Sequence, residues 1–292
     1  MYEYTLIKSD QQLQQYLQLW NKEDITSFAI DFEGEFNLHI YGEHLCLIQM
    51  FDSRAFYLID PLSVSVSLLK EFFEDEHIEK IMFDASSDAS LLYKNYKILM
   101  KGVYDVHLIA KCAGIEGNLS SLIARVTGQK AVKGKKSNQR ANWLKRPIGE
   151  KLVEYALGDV AHLFAVKEYL VKEIAGQNKE VEAQKIIDGG VKVRKHSVPG
   201  WTKLPGYRKM NRDQKIYLRW LFESRDMLAQ EKNLPPYRIL DKRLLTDLAK
   251  NPPISPEELF EKVTHPDRSI ESTLRSLLVV ALEGAKKEIS ER

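Results

Sequence analysis

The amino-acid sequence predicts an α/β domain with a mixed sheet flanked by helices, followed by a small all-helical domain. Two patterns lead to this prediction. In the first half of the chain, short apolar runs rich in β-branched and aromatic residues alternate with segments whose apolar residues recur at helical spacing. Beyond about Lys185 the helical spacing continues without a convincing strand. Strands mixed with covering helices are typical of a mixed sheet whose faces are buried.

The strands of the first domain are predicted where apolar runs stand between turn-forming or polar residues. They cover residues 4–7, 27–32, 44–51, 55–59, 80–83 and 103–104. Ser9 or Asp10 can cap the first helix, whose apolar positions follow at helical spacing. Further helices are predicted near residues 64–73, 89–93, 106–112 and 119–126, and one long amphipathic helix over residues 149–174.

The helical domain follows a change in composition at about Lys185. From there to Lys215, basic residues outnumber acids, and several glycines and prolines interrupt any regular element. We therefore predict a first domain over residues 1–184, a basic linker over 185–210 and a helical domain over 211–292. Its helices are predicted at residues 213–231, 241–250, 256–263 and 270–289.

The composition of the 292 residues is that of a globular protein, with 44% hydrophobic and 29% charged residues. Two isolated cysteines, Cys46 and Cys112, are too few for a disulfide framework or a cysteine zinc site. No apolar stretch of about 18 residues and no signal-like start occur, so we expect a cytoplasmic protein with no membrane segment.

A strongly basic segment lies between Gln129 and Lys151, although the net charge of the chain is only +2. Its single acid is Glu150, and its basic residues are Lys130, Lys133, Lys135, Lys136, Arg140, Lys145, Arg146 and Lys151. Such a segment can pair with phosphates and release counterions, as in nucleic-acid binding. Charge alone does not separate this interpretation from a solvated basic loop.

Two carboxylates end the apolar run in "FAIDFEGEF" at residues 28–36. Asp31 and Glu33 share one face of the predicted strand because strand side chains alternate with period two. Two carboxylates on one face repel each other, which raises a pKa or requires a cation. A solvated pair at a sheet edge is the alternative for an isolated Asp-x-Glu.

Further acids occur where strand-to-helix connections can bring them to the same sheet end. Asp88 follows the strand that ends at Phe83, and Asp159 lies on a predicted helix with Tyr155 one turn earlier. Converging carboxylates are the hard oxygen ligands that Mg²⁺ or Mn²⁺ prefers, and no histidine or cysteine cluster competes for zinc. Two such ions would suit hydrolysis of a phosphodiester.

These residues resemble the three motifs of the DEDD 3′-to-5′ exonucleases. "FAIDFEGEF" is similar to the first motif, "KIMFDASSDASLL" at residues 80–92 to the second, and "EYALGDVAHL" at 154–163 to the third. The Tyr-x-x-x-Asp spacing indicates the tyrosine branch. "SNQRANWLKRPIGEKLVEYALGDVAHL" at residues 137–163 is similar to ribonuclease D proteins in particular. The resemblance covers roughly residues 4–170 and implies a ribonuclease H-like sheet.

The resemblance implies a role for each matched acid. Asp31, Glu33 and Asp159 are expected to ligate one divalent ion, and Asp31 to bridge to a second that Asp88 holds. Tyr155 is expected to orient or deprotonate the attacking water. Asp84 is the rival to Asp88 in the second motif, but its place at the strand end favours a cap or rim position. Asp105 is expected to be a helix cap that can support the site.

Nucleic-acid contacts are expected in the first-motif segment and in the basic loop. The sequence departs from the usual ribonuclease D pattern at Phe83, where a histidine is common, and at Asn142, where an aspartate often stands. These departures concern substrate positioning more than chemistry. For Phe36 two roles are weighed, packing in the core and contact with a terminal base. The expected contact residues are Phe36, Lys135, Lys136, Arg140, Trp143 and Arg146.

The C-terminal part, residues 217–259, resembles the helicase-and-ribonuclease-D C-terminal (HRDC) domain. Pro235 and Pro236 predict a rigid turn between helices, over which Tyr237 can close the core. The sequence leaves two interpretations of this domain: one of its faces contacts phosphates, or the domain is purely structural. Together the resemblances imply an exonuclease that removes nucleoside 5′-monophosphates from RNA 3′ ends, as in processing of transfer RNA precursors. The alternatives are a single-strand DNA exonuclease and a catalytically silent nucleic-acid-binding protein.

Overall fold

The computed structural model describes residues 2–128, 138–194 and 198–292. It divides into two units by its internal contacts. The first unit comprises Met1–Glu35 and Glu43–Lys195, and the second comprises Phe36–Gly42 and His196–Arg292. The first is an α/β unit and the second is helical, so the predicted fold class is confirmed.

The first unit contains a six-stranded mixed sheet. Its strands are β1 (Tyr4–Ile7), β2 (Ser27–Phe36), β3 (Glu43–Phe51), β4 (Phe56–Ile59), β5 (Glu79–Met82) and β6 (Val103–Asp105), in the spatial order β1-β4-β3-β2-β5-β6. β1 pairs with β4, β2 with β5 and β5 with β6 in parallel, whereas β3 and β4 are antiparallel. The carboxyl ends of β2, β5 and β6 therefore lie at one end of the sheet.

Helices cover both faces of this sheet. They are α1 (Asp10–Lys22), α2 (Val66–Glu74), α3 (Ser86–Tyr96), α4 (Val106–Cys112), α5 (Leu119–Thr127), α6 (Glu150–Val160), α7 (Leu163–Gly176) and α8 (Glu180–Asp188). The prediction of one helix over residues 149–174 is wrong, because Ala161 and His162 separate α6 from α7. Buried residues keep helical spacing on both sides of the break, so the sequence pattern does not reveal it.

The two faces of β2 pack against different helices. Phe28 and Ile30 are fully buried in a cluster with Trp20 of α1 and Phe72 of α2, and the ring centroids of Trp20 and Phe28 lie 4.9 Å apart. On the opposite face, Ala29 belongs to a cluster with residues of α6 and α7. Since side chains alternate along a strand, Asp31 and Glu33 point to this second face.

β2 extends four residues beyond its predicted end and reaches Phe36. Two hydrogen bonds join the ends of the segment that follows β2. The Asn37 amide donates to the Gly42 carbonyl oxygen at 2.9 Å, and the Gly42 amide donates to Asn37 Oδ1 at 2.8 Å. Residues 36–42 belong to the helical unit by their contacts. Within that unit, the Tyr41 hydroxyl donates to Asp226 Oδ2 at 2.6 Å.

The helical unit is built on two long helices. Its helices are α9 (Arg212–Glu231), α10 (Pro236–Ile239), α11 (Lys242–Lys250), α12 (Pro256–Lys262) and α13 (Arg268–Ser290), preceded by two 3-10 turns at Gly200–Lys203 and Tyr207–Lys209. Asn211 and Gln214 form a capping box at the start of α9. The predicted boundary at residue 184 falls inside α8, which belongs to the first unit. Among the helices of the described residues, none is long and apolar enough to span a membrane.

Candidate metal centre

The carboxyl end of β2 carries the first two acids of the site. Ala29 stands opposite Ile81 of β5, so Asp31 and Glu33 lie beyond the paired part of these strands. Glu33 is buried and Asp31 is half-buried. The sheet thus places both carboxylates at the end where β5 leads into α3.

Helix α6 brings the third acid to the same face. Its residues Ala156, Leu157 and Val160 are fully buried and pack it against the sheet, and Asp159 beside them is 6% exposed. Carboxylate oxygens of Asp31, Glu33 and Asp159 all lie within 4.8 Å of one another. Three carboxylates at this separation fit a hard divalent cation, since bare negative charges so close together repel.

Asp88 approaches this cluster from α3, where it lies in the first turn. Burial raises the pKa of Asp88 well above its usual value, and the charges of Asp31, Asp84 and Asp105 raise it further. The Asp88 carboxylate therefore interacts electrostatically with the acidic cluster. Among the described residues, however, the group that meets the metal-ligand spacing contains Asp31, Glu33 and Asp159 but not Asp88.

Tyr155 lies one turn before Asp159 on α6 and is half-buried. Burial raises its pKa above 10, and Asp159, Glu33 and Asp31 add to the shift through their negative charges. A hydrogen bond to Asp159 acts in the same direction. The phenol of the metal-free site is therefore protonated beside the carboxylates.

Two of the residues predicted to contact nucleic acid have structural contacts. Trp143 has no exposed surface, so its ring cannot stack on a base in this conformation. Arg146 donates to both carboxylate oxygens of Asp60 and to the carbonyl oxygens of Trp143 and Cys46. Trp143 is therefore not retained as a candidate nucleic-acid contact, whereas Arg146 keeps exposed surface and stays a prediction.

The other predicted contacts differ in what the structure says of them. Phe36 is 50% exposed and Arg140 is exposed, so both remain open to a ligand. Lys135 and Lys136 lie outside the described residues. The second-motif rival Asp84 is exposed and has a left-handed backbone with φ of 55°, while Asp105 caps α4 as expected.

Sequence reasoning missed Asp60, the partner of Arg146. It follows β4 directly and is 7% exposed, yet 86 residues separate it from Arg146. No local pattern connects the two positions. A buried acid directly after a strand was the only available signal, and it does not indicate a partner.

Comparisons with known proteins agree with this geometry. The 3′-5′ exonuclease family model matches residues 4–175 and the HRDC domain model matches residues 215–270. Ribonuclease D of Xanthomonas oryzae pv. oryzae is 28% identical over 236 residues, which cover 76% of this chain and 62% of that protein. Ribonuclease D of Desulfotalea psychrophila is 28% identical over 267 residues, covering 89% and 70%.

A solved structure shows the same architecture. The crystal structure of Escherichia coli RNase D, described as an exoribonuclease involved in structured RNA processing, superimposes with a TM-score of 0.73 at 25% identity, covering 96% of this chain and 75% of that one. The chain spans 62% and 70% of the length of the two curated relatives. The exonuclease model matches more than half of the residues. The chain therefore belongs to the 3′-5′ exonuclease family and carries an HRDC domain after its exonuclease domain.

Proposed function

We propose that this protein is a two-metal 3′-to-5′ exoribonuclease that releases nucleoside 5′-monophosphates from RNA 3′ ends, with Mg²⁺ or Mn²⁺ as cofactor. The observation that carries the proposal is the convergence of Asp31, Glu33 and Asp159 within 4.8 Å on one face of the sheet. Membership of the exonuclease family supports the reaction class. The ribonuclease D relatives support RNA as the substrate.

The donor set fits the proposed ions. Asp31, Glu33 and Asp159 offer only carboxylate oxygens, which suit hard cations. In the proposal these three residues would hold one ion, and Asp31 together with Asp88 would hold the other. Such ions would supply the positive charge that an in-line displacement needs at its attacking and leaving oxygens.

Tyr155 orients the attacking water in this proposal. Its hydroxyl is hydrogen-bonded to Asp159 in the metal-free site. The phenol oxygen can also accept a hydrogen bond from a water molecule. Tyr155 keeps its place through α6, whose buried face includes Ala156 and Val160. The ring of Trp143 supports it at a centroid distance of 6.3 Å.

The substrate could instead be single-stranded DNA, because discrimination between the sugars depends on contacts to the 2′-hydroxyl. A silent nucleic-acid-binding protein is less consistent with the site, because Asp31, Glu33, Asp88, Tyr155 and Asp159 are all present. RNA 3′ ends of the transfer RNA precursor type are the favoured substrate. Among the residues that the structure describes, Phe36, Arg140 and Arg146 are the candidates for contacting them.

The test is degradation of matched RNA and DNA strands labelled at the 5′ end, with Mg²⁺ or Mn²⁺ and product lengths read over time. We expect stepwise shortening of RNA from its 3′ end, faster than that of DNA. Asp31→Asn should abolish hydrolysis and leave RNA binding largely intact. The matched control is Asp24→Asn, an exposed position with φ of 54° that asparagine tolerates.

Three other results would change the proposal. Faster shortening of the DNA strand would assign the enzyme to DNA. No hydrolysis of either strand by the wild-type protein would favour a silent binding protein. Full activity of the Asp31→Asn variant would contradict the site assignment.

A further inference from the structure

A buried carboxylate outside the acidic cluster binds the turn that leads to Asp88. Asp105, at the end of β6, is 8% exposed. Its Oδ1 accepts from the amide of Asp84 at 3.0 Å, and its Oδ2 accepts from the amide of Ala85 at 3.0 Å. Oδ1 also accepts from the amides of His107 at 2.9 Å and Leu108 at 3.4 Å. One side chain thus ties the β5–α3 turn to the start of α4.

The turn needs this support because its backbone is unusual. Asp84 has a φ of 55°, in the left-handed region that costs a non-glycine residue free energy. Ala85 precedes α3 and cannot cap the helix with its own side chain. A carboxylate from β6 holds this turn, since it accepts from two consecutive amides just before α3.

The β5–α3 turn also sets the position of Asp88. Ser86 begins α3, and Asp88 is the third residue of the helix, so it cannot shift without moving the entrance. β5 and β6 pair in parallel with Met82 opposite Asp105, which places the carboxylate beside the turn. On the other side of the helix, the Ser86 hydroxyl donates to the Lys192 carbonyl oxygen at 2.8 Å.

We propose that Asp105 is a positioning residue for the ion held by Asp88: its carboxylate fixes the Asp84–Ala85 turn, and the turn fixes Asp88. This inference rests on the proposed two-metal function. If Asp105 only capped α4, its carboxylate would need to accept hydrogen bonds only from the amides of His107 and Leu108. The two bonds to Asp84 and Ala85 are the contacts that point to the metal centre.

The test compares the full-length wild-type protein with Asp105→Asn, using Mn²⁺ alone as the probe in a calorimetric titration. We expect the weaker Mn²⁺ site to lose about 10- to 100-fold in affinity, as is typical when a partner behind a metal ligand is removed. The site of Asp31, Glu33 and Asp159 should change by less than about threefold, because its ligands lie on other elements. Deuterium uptake at residues 84–90 should increase in the metal-free variant.

Asp52→Asn is the matched control. Asp52 is likewise buried, and its carboxylate holds the β3–β4 turn by accepting from the amides of Arg54 at 2.8 Å and Ala55 at 2.6 Å and from the Tyr57 hydroxyl at 2.9 Å. Its substitution should lower stability while leaving both Mn²⁺ affinities within about threefold, since a general loss of stability does not act on a metal ligand. The control therefore separates positioning from simple destabilisation.

A second variant keeps the proposal testable if Asp105→Asn does not fold. Asp105→Glu retains the charge and displaces the carboxylate by one methylene, so geometry alone should weaken the second Mn²⁺ site. With RNA as substrate, kcat should fall in either variant while KM changes by less than about threefold, because the RNA contacts are intact.

The outcomes distinguish the two proposals. A wild-type protein that binds no Mn²⁺ overturns the proposed function, and the positioning role with it. If the wild type binds two ions, and the folded Asp105 variants bind them with unchanged affinity, only the positioning role is overturned.

Discussion

Arg146 binds Asp60 across 86 residues of sequence through two hydrogen bonds, from Nε to Oδ2 at 2.7 Å and from Nη2 to Oδ1 at 2.9 Å. The same guanidinium donates to the carbonyl oxygen of Cys46 at 2.6 Å and to that of Trp143 at 2.7 Å. It thereby joins the segment before α6 to β3 and to the end of β4. Trp143 is buried, and its ring centroid lies 6.3 Å from that of Tyr155, so the segment held by Arg146 borders the candidate metal centre.

Asp60→Asn should lower the free energy of unfolding by about 1 to 3 kcal/mol at pH 7, because it removes the charge of a buried carboxylate that accepts two hydrogen bonds from Arg146. Burial raises the pKa of Asp60, but the hydrogen bond and charge of Arg146 lower it more, so the net pKa is below the usual value. The stabilisation is therefore complete above the usual aspartate pKa of ~3.9 and is lost as pH falls through the lower folded value.

Urea unfolding at pH 7 and at pH 3 measures this effect. Lys94→Gln is the control, because it removes the exposed ion pair between Lys94 and Glu43 and should cost less than about 1 kcal/mol. An Asp60→Asn variant as stable as the wild type at pH 7 would show that the pair contributes nothing net.

Tyr155→Phe should reduce kcat on RNA by at least ~10-fold and leave Mn²⁺ affinity within about threefold, because it removes the hydroxyl that positions water in the proposed function and keeps every carboxylate. Single-turnover kinetics and a Mn²⁺ titration measure the two effects separately. Tyr16→Phe is the control, since the Tyr16 hydroxyl donates to Thr5 Oγ1 at 3.5 Å on the α1 side of the sheet. Wild-type turnover by the Tyr155→Phe variant would remove the phenol from the mechanism.

Lys80 is a fully buried lysine in β5 that donates to the Asp75 carbonyl oxygen. Burial lowers its pKa to about 8, and Lys101 contributes to the shift while Asp75 opposes it. A pKa lowered in the folded state adds stability above the unfolded value of ~10.4, and this contribution is lost as pH falls through about 8. At pH 7 the protonated amine is therefore a buried charge that destabilises the fold.

Lys80→Met should raise the free energy of unfolding at pH 7 by about 1 to 3 kcal/mol, because an apolar side chain of similar length replaces a buried charge. The advantage should shrink as pH rises from 8 to about 10.5, the range in which the wild type gains stability. Unfolding curves across this range test the sign. Lys70→Met, at an exposed helix position, should show no such pH dependence.

Gly284 lets α13 approach α9 in the helical unit. A Cβ at this position would lie 2.8 Å from Cζ3 and 2.9 Å from Cη2 of Trp220, whose Nε1 donates to Glu288 Oε2 at 2.9 Å. Gly284→Ala should therefore destabilise the unit by about 1 to 2 kcal/mol, despite alanine's advantage of about 1 kcal/mol in a helix.

Thermal unfolding monitored by helix content compares this variant with Gly176→Ala. At Gly176, the last residue of α7, a Cβ would meet nothing within 4 Å, so the alanine should be neutral or stabilising. A stabilised Gly284→Ala variant would show that Trp220 can move without cost.

Much of the fold could be predicted from residue types and from the periodicity of apolar residues along the chain. The apolar runs that predict β2 to β5 are real strands, and the period-two rule places Asp31 and Glu33 on one face. Helical spacing placed Tyr155 one turn before Asp159 on α6, where both meet the β2 carboxylates. The predictions failed where the spacing was uninformative, as at the break between α6 and α7.

The sequence by itself determined the kind of chemistry, because the residue types and spacings of Asp31, Glu33, Asp88 and Asp159 specify carboxylates at strand and helix ends. Only the tertiary structure decided which side chains are buried and which long-range partners hold the scaffold. Trp143 and Arg146 look like nucleic-acid contacts in sequence, yet one is buried and the other is paired with Asp60. Burial and pairing depend on neighbours distant in the chain, whereas a motif records only neighbours along it.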